Sequence, residues 1–104
     1  MLAEFEIVPI GTGSPSLSTL LAQVAKLIDA SGLAYRVGPM GTVVEGEWDA
    51  VMALAKRCHQ AALQSSSRVM TTIRIDDRTD KPGAGRITQK VQSLEAKVGK
   101  VLRK

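Results

Sequence analysis

The chain has 104 residues, of which 44% are hydrophobic and 23% are charged. These values are typical of a globular protein and exclude a chain that is disordered throughout. The length allows one two-layer core, so we expect a single domain over residues 1–104. We expect no membrane-spanning segment, because no apolar run approaches the ~20 residues that cross a bilayer. We also expect no secretory signal, because Glu4 and Glu6 stand inside the first apolar stretch.

The formal net charge of +4 comes from the C-terminal segment. Residues 86–104 hold six basic side chains and one acidic one, giving +5, whereas residues 1–85 hold eight basic and nine acidic ones, giving −1. Because no helix-turn-helix, zinc or RNA-binding signature accompanies this charge, we interpret it as a solvated helix face and expect no nucleic-acid partner. Cys58 is the only cysteine and cannot form an internal disulfide, which favours the reducing cytoplasm.

The first half of the chain predicts a strand, a helix and a hairpin. In residues 3–10 apolar and acidic side chains alternate, as in a half-buried strand. Ser14 and Pro15 are suited to cap and begin a helix that stops at Gly32. The apolar stripe of this helix consists of Leu17, Leu20, Leu21, Val24, Leu27 and Ile28. Residues 33–37 and 41–45 follow as two short strands around a turn.

The second half of the chain predicts a helix, a strand and a further helix. The helix begins near Glu47, and its expected buried stripe is Trp48, Val51, Met52, Ala55, Cys58 and Ala62. Residues 68–76 alternate as a fourth strand, with Thr71 and Thr72 on opposite faces. The last helix has apolar residues at spacings of four and three, which form a narrow seam: Ile87, Val91, Leu94, Val98 and Val101.

The element order β-α-β-β-α-β, followed by an extra helix, is the ferredoxin-like pattern. We therefore predict an α+β sandwich in which two helices cover one face of a four-stranded antiparallel sheet. The other face is expected to carry Glu4, Glu6, Val8, Thr72 and Arg74, and Arg74 is expected to pair with Glu4 or Glu6. Such a mixed face favours contact with a second subunit, as does the seam of the last helix, so we expect a homo-oligomer.

Candidate catalytic and metal-binding residues are few. His59, the only histidine, points about 100° away from Cys58 on a helix, so we expect neither a zinc site nor a Cys–His pair. Asp76, Asp77 and Asp80 could hold a divalent cation, but such clusters are more typical of a turn. Acylphosphatases share this fold and depend on an essential asparagine, so the absence of asparagine from the chain excludes that activity. RNA-recognition domains stack bases on exposed aromatic residues of their strands, and the predicted fourth strand has no aromatic residue. We expect no metal, no cofactor and no catalysis.

Three ordered segments of the chain resemble the thiamine-binding protein family. They are VPIGTGS at residues 8–14, GPMGTVVEG at 38–46 with Trp48 and Asp49 after it, and TIRIDDR at 72–78 with Asp80 and Lys81 after it. The resemblance extends from about residue 3 to residue 99. It implies a small ferredoxin-like protein that assembles through its sheets as a homodimer or homotetramer. Proteins of this family are similar to a tandem-domain bacterial protein that binds thiamine and its hydroxymethylpyrimidine moiety.

The resemblance implies a pocket whose chemistry suits thiamine. The aminopyrimidine edge requires hydroxyls or amides, and the cationic thiazolium requires a carboxylate and apolar walls. The candidate ligand-binding residues near the strand ends are Thr12, Ser14, Ser18, Thr42, Glu45, Thr71 and Thr72. Structural alternatives are open for three of them: Ser14 as a helix cap, Thr42 as a β-former and Glu45 as an acid near a helix start.

The function implied by the resemblance is non-catalytic binding of thiamine or a related pyrimidine by a cytoplasmic homo-oligomer. No nucleic acid and no membrane is expected among its partners. An alternative also stays open, in which the chain is an oligomeric interaction or regulatory module with a different small-molecule ligand or with none.

Overall fold

Four strands and three helices follow one another in the parts of the chain that the computed structural model describes, residues 1–11, 13, 17–81 and 83–104. Their bounds, in chain order, are β1 Leu2–Ile10, α1 Ser18–Ala30, β2 Ala34–Val37, β3 Thr42–Glu45, α2 Trp48–Leu63, β4 Arg68–Asp76 and α3 Arg86–Val98. This order confirms the predicted β-α-β-β-α-β arrangement with an extra C-terminal helix.

The strands form an antiparallel sheet in the order β2-β3-β1-β4. β1 is central, because Phe5 lies opposite Thr42 on β3 and opposite Ile73 on β4. β2 extends the sheet beyond β3, and its Val37 lies opposite Thr42. This is the ferredoxin-like sheet that the sequence predicts, with both expected neighbours beside β1.

α1 and α2 cover the same face of the sheet. On β1, the alternate residues Ala3, Phe5 and Ile7 are buried beneath them. The helices supply most of the remaining core: Leu20, Val24 and Ile28 from α1, and Val51, Leu54, Ala55, Cys58 and Ala62 from α2. Residues that lie opposite each other in an antiparallel pair point to the same side of the sheet. The register therefore places the residues predicted for the uncovered face on the side away from α1 and α2, here called the open face: Glu4, Glu6, Val8, Thr72 and Arg74.

The buried stripe of α2 differs from the prediction at two positions. Trp48 is 54% exposed, whereas Leu54, which the predicted stripe omits, is fully buried. At about 100° per residue, both lie about 60° from Val51, on opposite sides of it. The sheet therefore meets a stripe that is rotated toward Leu54, and Trp48, in the first turn, extends into solvent.

Two helix ends also differ from the sequence prediction. α1 begins at Ser18, with Leu17 at its N-cap position and no side-chain cap there. The proposed cap Ser14 and the following Pro15 lie outside the described residues. α3 ends at Val98 because Gly99 takes a left-handed conformation with φ of 86°, so Val101 is not part of the helical seam. Within the described ranges, no helix has the length and apolarity required to cross a membrane.

α3 meets the open face near its own N-terminal end. The Ile87 amide donates a hydrogen bond of 3.1 Å to Glu45 Oε1, and Lys90 Nζ donates one of 2.5 Å to Asp76 Oδ2. Further along the helix, Leu94 and Val98 are each more than half exposed. The apolar seam of α3 is therefore partly unpartnered in a single chain.

Candidate functional site

A crevice of about 280 Å³ opens between α1 and the hairpin formed by β2 and β3. Its floor is β1, where Phe5 and Ile7 point toward the helices. The walls include Leu17, Leu21 and Val24 from α1 and Val37, Met40 and Thr42 from the hairpin. Apolar walls with few polar groups are typical of sites for small ring-containing ligands.

Two glycines allow the hairpin tip to lie close to β1. The Gly38 amide donates a hydrogen bond of 2.8 Å to the Gly41 carbonyl oxygen and closes the turn. A Cβ atom on Gly41 would lie 3.0 Å from the Phe5 carbonyl oxygen, and one on Gly38 would lie 3.0 Å from the Gly41 carbonyl oxygen. A larger residue at either position would move the tip, and with it one wall of the crevice.

Thr42 contributes a hydroxyl to the crevice. It lies directly opposite Phe5 on the neighbouring strand and is half-buried. Its hydroxyl can donate one hydrogen bond and accept others, which suits the mixed donors and acceptors on the edge of an aminopyrimidine. The structure thus brings this sequence-predicted residue next to an aromatic ring.

Three further candidates belong to the segment after β1 and to the first residue of α1. Ser18 is exposed at the start of α1 and directly follows Leu17, which lines the crevice. Thr12 and Ser14 lie outside the described residues, so their role as ligand contacts stays a prediction.

The structure distributes the other three candidates over two faces of the sheet. Thr71 faces α2, and its Oγ1 lies 2.6 Å from Nδ1 of the half-buried His59. Thr72 is exposed on the open face. Glu45 is buried on that same face and accepts a hydrogen bond from the first turn of α3. None of these three lines the described part of the crevice with Thr42.

The open face carries a separate hollow of about 340 Å³, lined by Glu4, Glu6, Met40, Thr72 and Arg74. Arg74 Nη2 donates a hydrogen bond of 2.6 Å to Glu4 Oε1, as the cross-strand prediction requires. Met40 lines both this hollow and the crevice, so the hairpin tip separates the two spaces.

The aspartates at the end of β4 are engaged by basic side chains. The hydrogen bond from Lys90 lowers the pKa of Asp76, and the hydrogen bond from Arg78 lowers the pKa of Asp80. In return, Asp80 raises the pKa of Arg78. Among the described residues, no cluster of three histidine, cysteine or acidic side chains is arranged to hold a metal ion. Arg78 and Asp80 form an ion pair in the segment after β4, whereas Asp76 is the last residue of that strand and binds α3.

Sequence reasoning did not include the apolar walls of the crevice among the candidate site residues. Leu21 belongs to the predicted stripe of α1, yet it is 44% exposed, and Val37 and Met40 are 60% and 82% exposed. The sequence did contain one signal for this wall, because the apolar stripe is wider than the surface that α1 buries. The helix buries Leu20, Val24 and Ile28, and the stripe also includes Leu17 and Leu21. A stripe wider than the core contact indicates that one edge of the helix lines a crevice.

Solved structures share this fold. The hypothetical protein MJ1052 from Methanocaldococcus jannaschii superposes with a TM-score of 0.81 at 29% identity, over 89% of this chain and 93% of that one. A Thermotoga maritima protein, for which a role in thiamine biosynthesis or salvage has been suggested, superposes with a TM-score of 0.72 at 24% identity, over 86% of this chain and 95% of that one. The fold therefore defines the chain as a small ferredoxin-like α+β protein.

The family follows from the sequence. The model of the thiamine-binding protein family matches residues 3–95, and the chain belongs to this family, which confirms the resemblance of the three segments. The UPF0045 protein YqgV of Bacillus subtilis is 42% identical over 85 residues, which are 77% of this chain and 82% of that protein. A UPF0045 protein of Methanothermobacter thermautotrophicus is 39% identical over 98 residues, covering 92% of this chain and 97% of that protein.

Proposed function

We propose that this chain binds thiamine or its hydroxymethylpyrimidine moiety without transforming it, and that it acts as a homo-oligomer. Membership of the thiamine-binding protein family supports the choice of ligand. The observation that carries the proposal is the crevice between α1 and the β2–β3 hairpin. It combines an aromatic floor at Phe5, apolar walls and the Thr42 hydroxyl in one concave space.

The size of the crevice favours a single ring. Pockets for drug-sized ligands measure about 300–1,000 Å³, and the crevice, at about 280 Å³, lies just below that range. In this proposal the pyrimidine ring enters and packs against Phe5, and Thr42 hydrogen-bonds to the ring edge. The thiazolium ring of thiamine stays at the mouth of the crevice.

The remaining polar contacts are proposed to come from the segment between β1 and α1: Thr12, Ser14 and Ser18. This assignment rests on connectivity, because β1 forms the floor of the crevice and α1 forms one of its walls. The proposed site omits Glu45, Thr71 and Thr72. Glu45 binds α3, Thr71 pairs with a histidine of α2, and Thr72 belongs to the open face.

The lining of the crevice supports binding without catalysis. Among its described residues, Glu6 is the only titratable side chain, and the register assigns Glu6 to the open face. Acid–base catalysis requires positioned proton donors and acceptors, and nucleophilic catalysis requires an activated nucleophile with a base nearby. A site with one peripheral carboxylate offers neither arrangement.

The open face and the exposed part of the α3 seam support assembly into a homodimer or homotetramer. Leu94 and Val98 expose apolar surface beside a sheet face that α1 and α2 leave uncovered. The single buried Cys58 suits a reducing compartment, so we place the protein in the cytoplasm as part of the same proposal.

Titration calorimetry with hydroxymethylpyrimidine and with thiamine tests the proposal on protein whose oligomeric mass has been measured by light scattering. Thr42→Val is expected to weaken binding by about tenfold at most, because one hydrogen bond contributes about 0.5–1.5 kcal/mol. Thr72→Val is the matched control on the opposite face and should leave the affinity unchanged. Absence of binding by the folded, assembled protein at millimolar concentrations of either ligand contradicts the proposal.

The second candidate function is an interaction or regulatory module with another small-molecule ligand or none. The exposed α3 seam favours this candidate, because it provides a contact surface that is separate from the crevice. It predicts self-association without affinity for thiamine. A thermal-shift screen of other small molecules, combined with mass measurement, distinguishes it from the first candidate.

A further inference from the structure

The crevice contains no cationic side chain among the described residues that line it, where Glu6 is the charged member. The sequence extends this observation to the whole segment around it. No lysine or arginine precedes Lys26, so β1, the segment after it and the first turns of α1 supply none. The hairpin residues 37–42 supply none either.

The nearest basic residues along the chain face away from the crevice. Arg36 lies opposite Val43, whereas the crevice residue Val37 lies opposite Thr42. Because adjacent residues of a strand point to opposite faces, Arg36 belongs to the open face. Lys26 is exposed on α1 and does not line the crevice.

A phosphorylated ligand would meet an unfavourable environment in such a site. A phosphate monoester carries a charge of about −1.5 to −2 at pH 7. It would lose hydrogen bonds to water on entering an apolar crevice and would find no arginine or lysine to form charge-assisted bonds there. The N-terminal end of α1 offers free backbone amides and a partial positive charge that is limited to the first turn, but no full positive charge.

We infer that the crevice selects a phosphate-free, planar ring and rejects the phosphoester of the same ring. This inference rests on the proposed function, because it specifies which form of the ligand that same site accepts. The unphosphorylated pyrimidine alcohol and free thiamine are accepted, and the monophosphate of the pyrimidine alcohol is rejected. The discrimination comes from unpaired negative charge in the phosphorylated ligand, since the ring itself is unchanged.

Calorimetry of the native oligomer with hydroxymethylpyrimidine, its monophosphate, thiamine and thiamine monophosphate tests the inference. Hydroxymethylpyrimidine monophosphate is expected to bind at least about tenfold more weakly than its parent alcohol, a difference that one unpaired charge readily exceeds. Thiamine monophosphate is the matched control, because its phosphate stays with the thiazolium ring at the mouth, and it should bind about as tightly as thiamine. Equal or tighter binding of hydroxymethylpyrimidine monophosphate, with the alcohols still bound, overturns the inference and leaves the proposed function standing. Failure of all four compounds to bind overturns both.

A gain-of-charge variant separates the chemistry of the crevice from the net charge of the protein. Val37→Lys places an ammonium group at an exposed position of the crevice wall and is expected to raise the affinity for hydroxymethylpyrimidine monophosphate by about tenfold relative to that for the parent alcohol. Ala30→Lys adds the same charge at the exposed C-terminal end of α1, outside the crevice lining, and should change neither. Circular dichroism verifies that both variants are folded. Equal tightening by the two variants overturns the inference, because the charge would then act at long range.

Discussion

Glu45 and Asp76 lie on either side of Leu2 in one cross-strand row of the sheet. Leu2 is opposite Glu45 on β3 and opposite Asp76 on β4, and both carboxylates bind the first two turns of α3. Glu45 accepts a hydrogen bond from the Ile87 amide, and Asp76 accepts one from Lys90. A carboxylate at a helix N-terminus satisfies a free amide and interacts favourably with the helix dipole. Charged groups at one end therefore attach α3 to the open face.

The buried Glu45 carboxylate is expected to contribute to stability through this attachment. Glu45→Ala should lower the free energy of unfolding by about 1–3 kcal/mol, because it leaves the Ile87 amide without its partner. Urea denaturation measures this loss, and hydrogen exchange should show faster exchange at Ile87. Glu6→Ala, at an exposed position of the same face, is the control and should change stability by less than about 0.5 kcal/mol. Equal effects of the two substitutions would contradict the proposed attachment.

The pH dependence of stability should report on Asp76. The hydrogen bond from Lys90 lowers the pKa of Asp76 in the folded state, so the protein gains stability from this group when it is ionised. The gain is complete above the unfolded aspartate pKa of about 3.9 and disappears as the pH falls through the lower folded-state pKa. Asp76→Asn should therefore lower Tm at neutral pH, and its melting curve should converge with that of the unmodified protein in acid. A difference in Tm between Asp76→Asn and the unmodified protein that stays constant as the pH falls would exclude this linkage. Asp77→Asn, at the exposed neighbouring position, is the control.

β1 and β4 were predictable from local pattern because burial alternates along most of each strand. Residues 68–76 alternate in the sequence, and β4 has these same bounds. The role of Glu45 was not predictable in this way. It stands just before α2 in the sequence, so local reasoning assigns it to the start of that helix, whereas its observed partner Ile87 is 42 residues away. A contact of such separation leaves no local pattern.

The candidate site was predictable only in part for a similar reason. Thr42 lies on a strand whose register against Phe5 follows from the fold, and sequence reasoning included it. The same reasoning placed Thr71 and Thr72 on opposite faces of the fourth strand and still included both among the candidate ligand contacts. Trp48 shows the corresponding limit for helices, because the spacing of apolar residues does not determine which edge of a stripe the sheet covers.

Cys58 should be unreactive in the folded protein. Its side chain is fully buried, and burial raises the pKa of its thiol. Because the thiolate is the reactive form, labelling by an aromatic disulfide reagent at mildly alkaline pH should be slow in the native state and complete in denaturant. Cys58→Ala is expected to remain folded, whereas Cys58→Ser should lose about 1–3 kcal/mol of stability if its hydroxyl finds no partner. Native labelling as fast as that of a free thiol would contradict the burial of this residue.

The exposed seam of α3 is expected to contribute to self-association. Leu94 and Val98 are 54% and 53% exposed, and such apolar surface on a soluble protein commonly marks an interface. The double variant Leu94→Gln/Val98→Gln should reduce the oligomeric mass measured by light scattering. Because both side chains are already half solvated in the single chain, the thermal stability of the protomer should change little. Ser93→Gln, at an exposed position of α3 outside the seam, is the matched control. An unchanged oligomeric mass in the double variant would exclude this seam as the contact and leave the open face as the candidate. A monomeric mass of the unmodified protein would contradict the homo-oligomer itself.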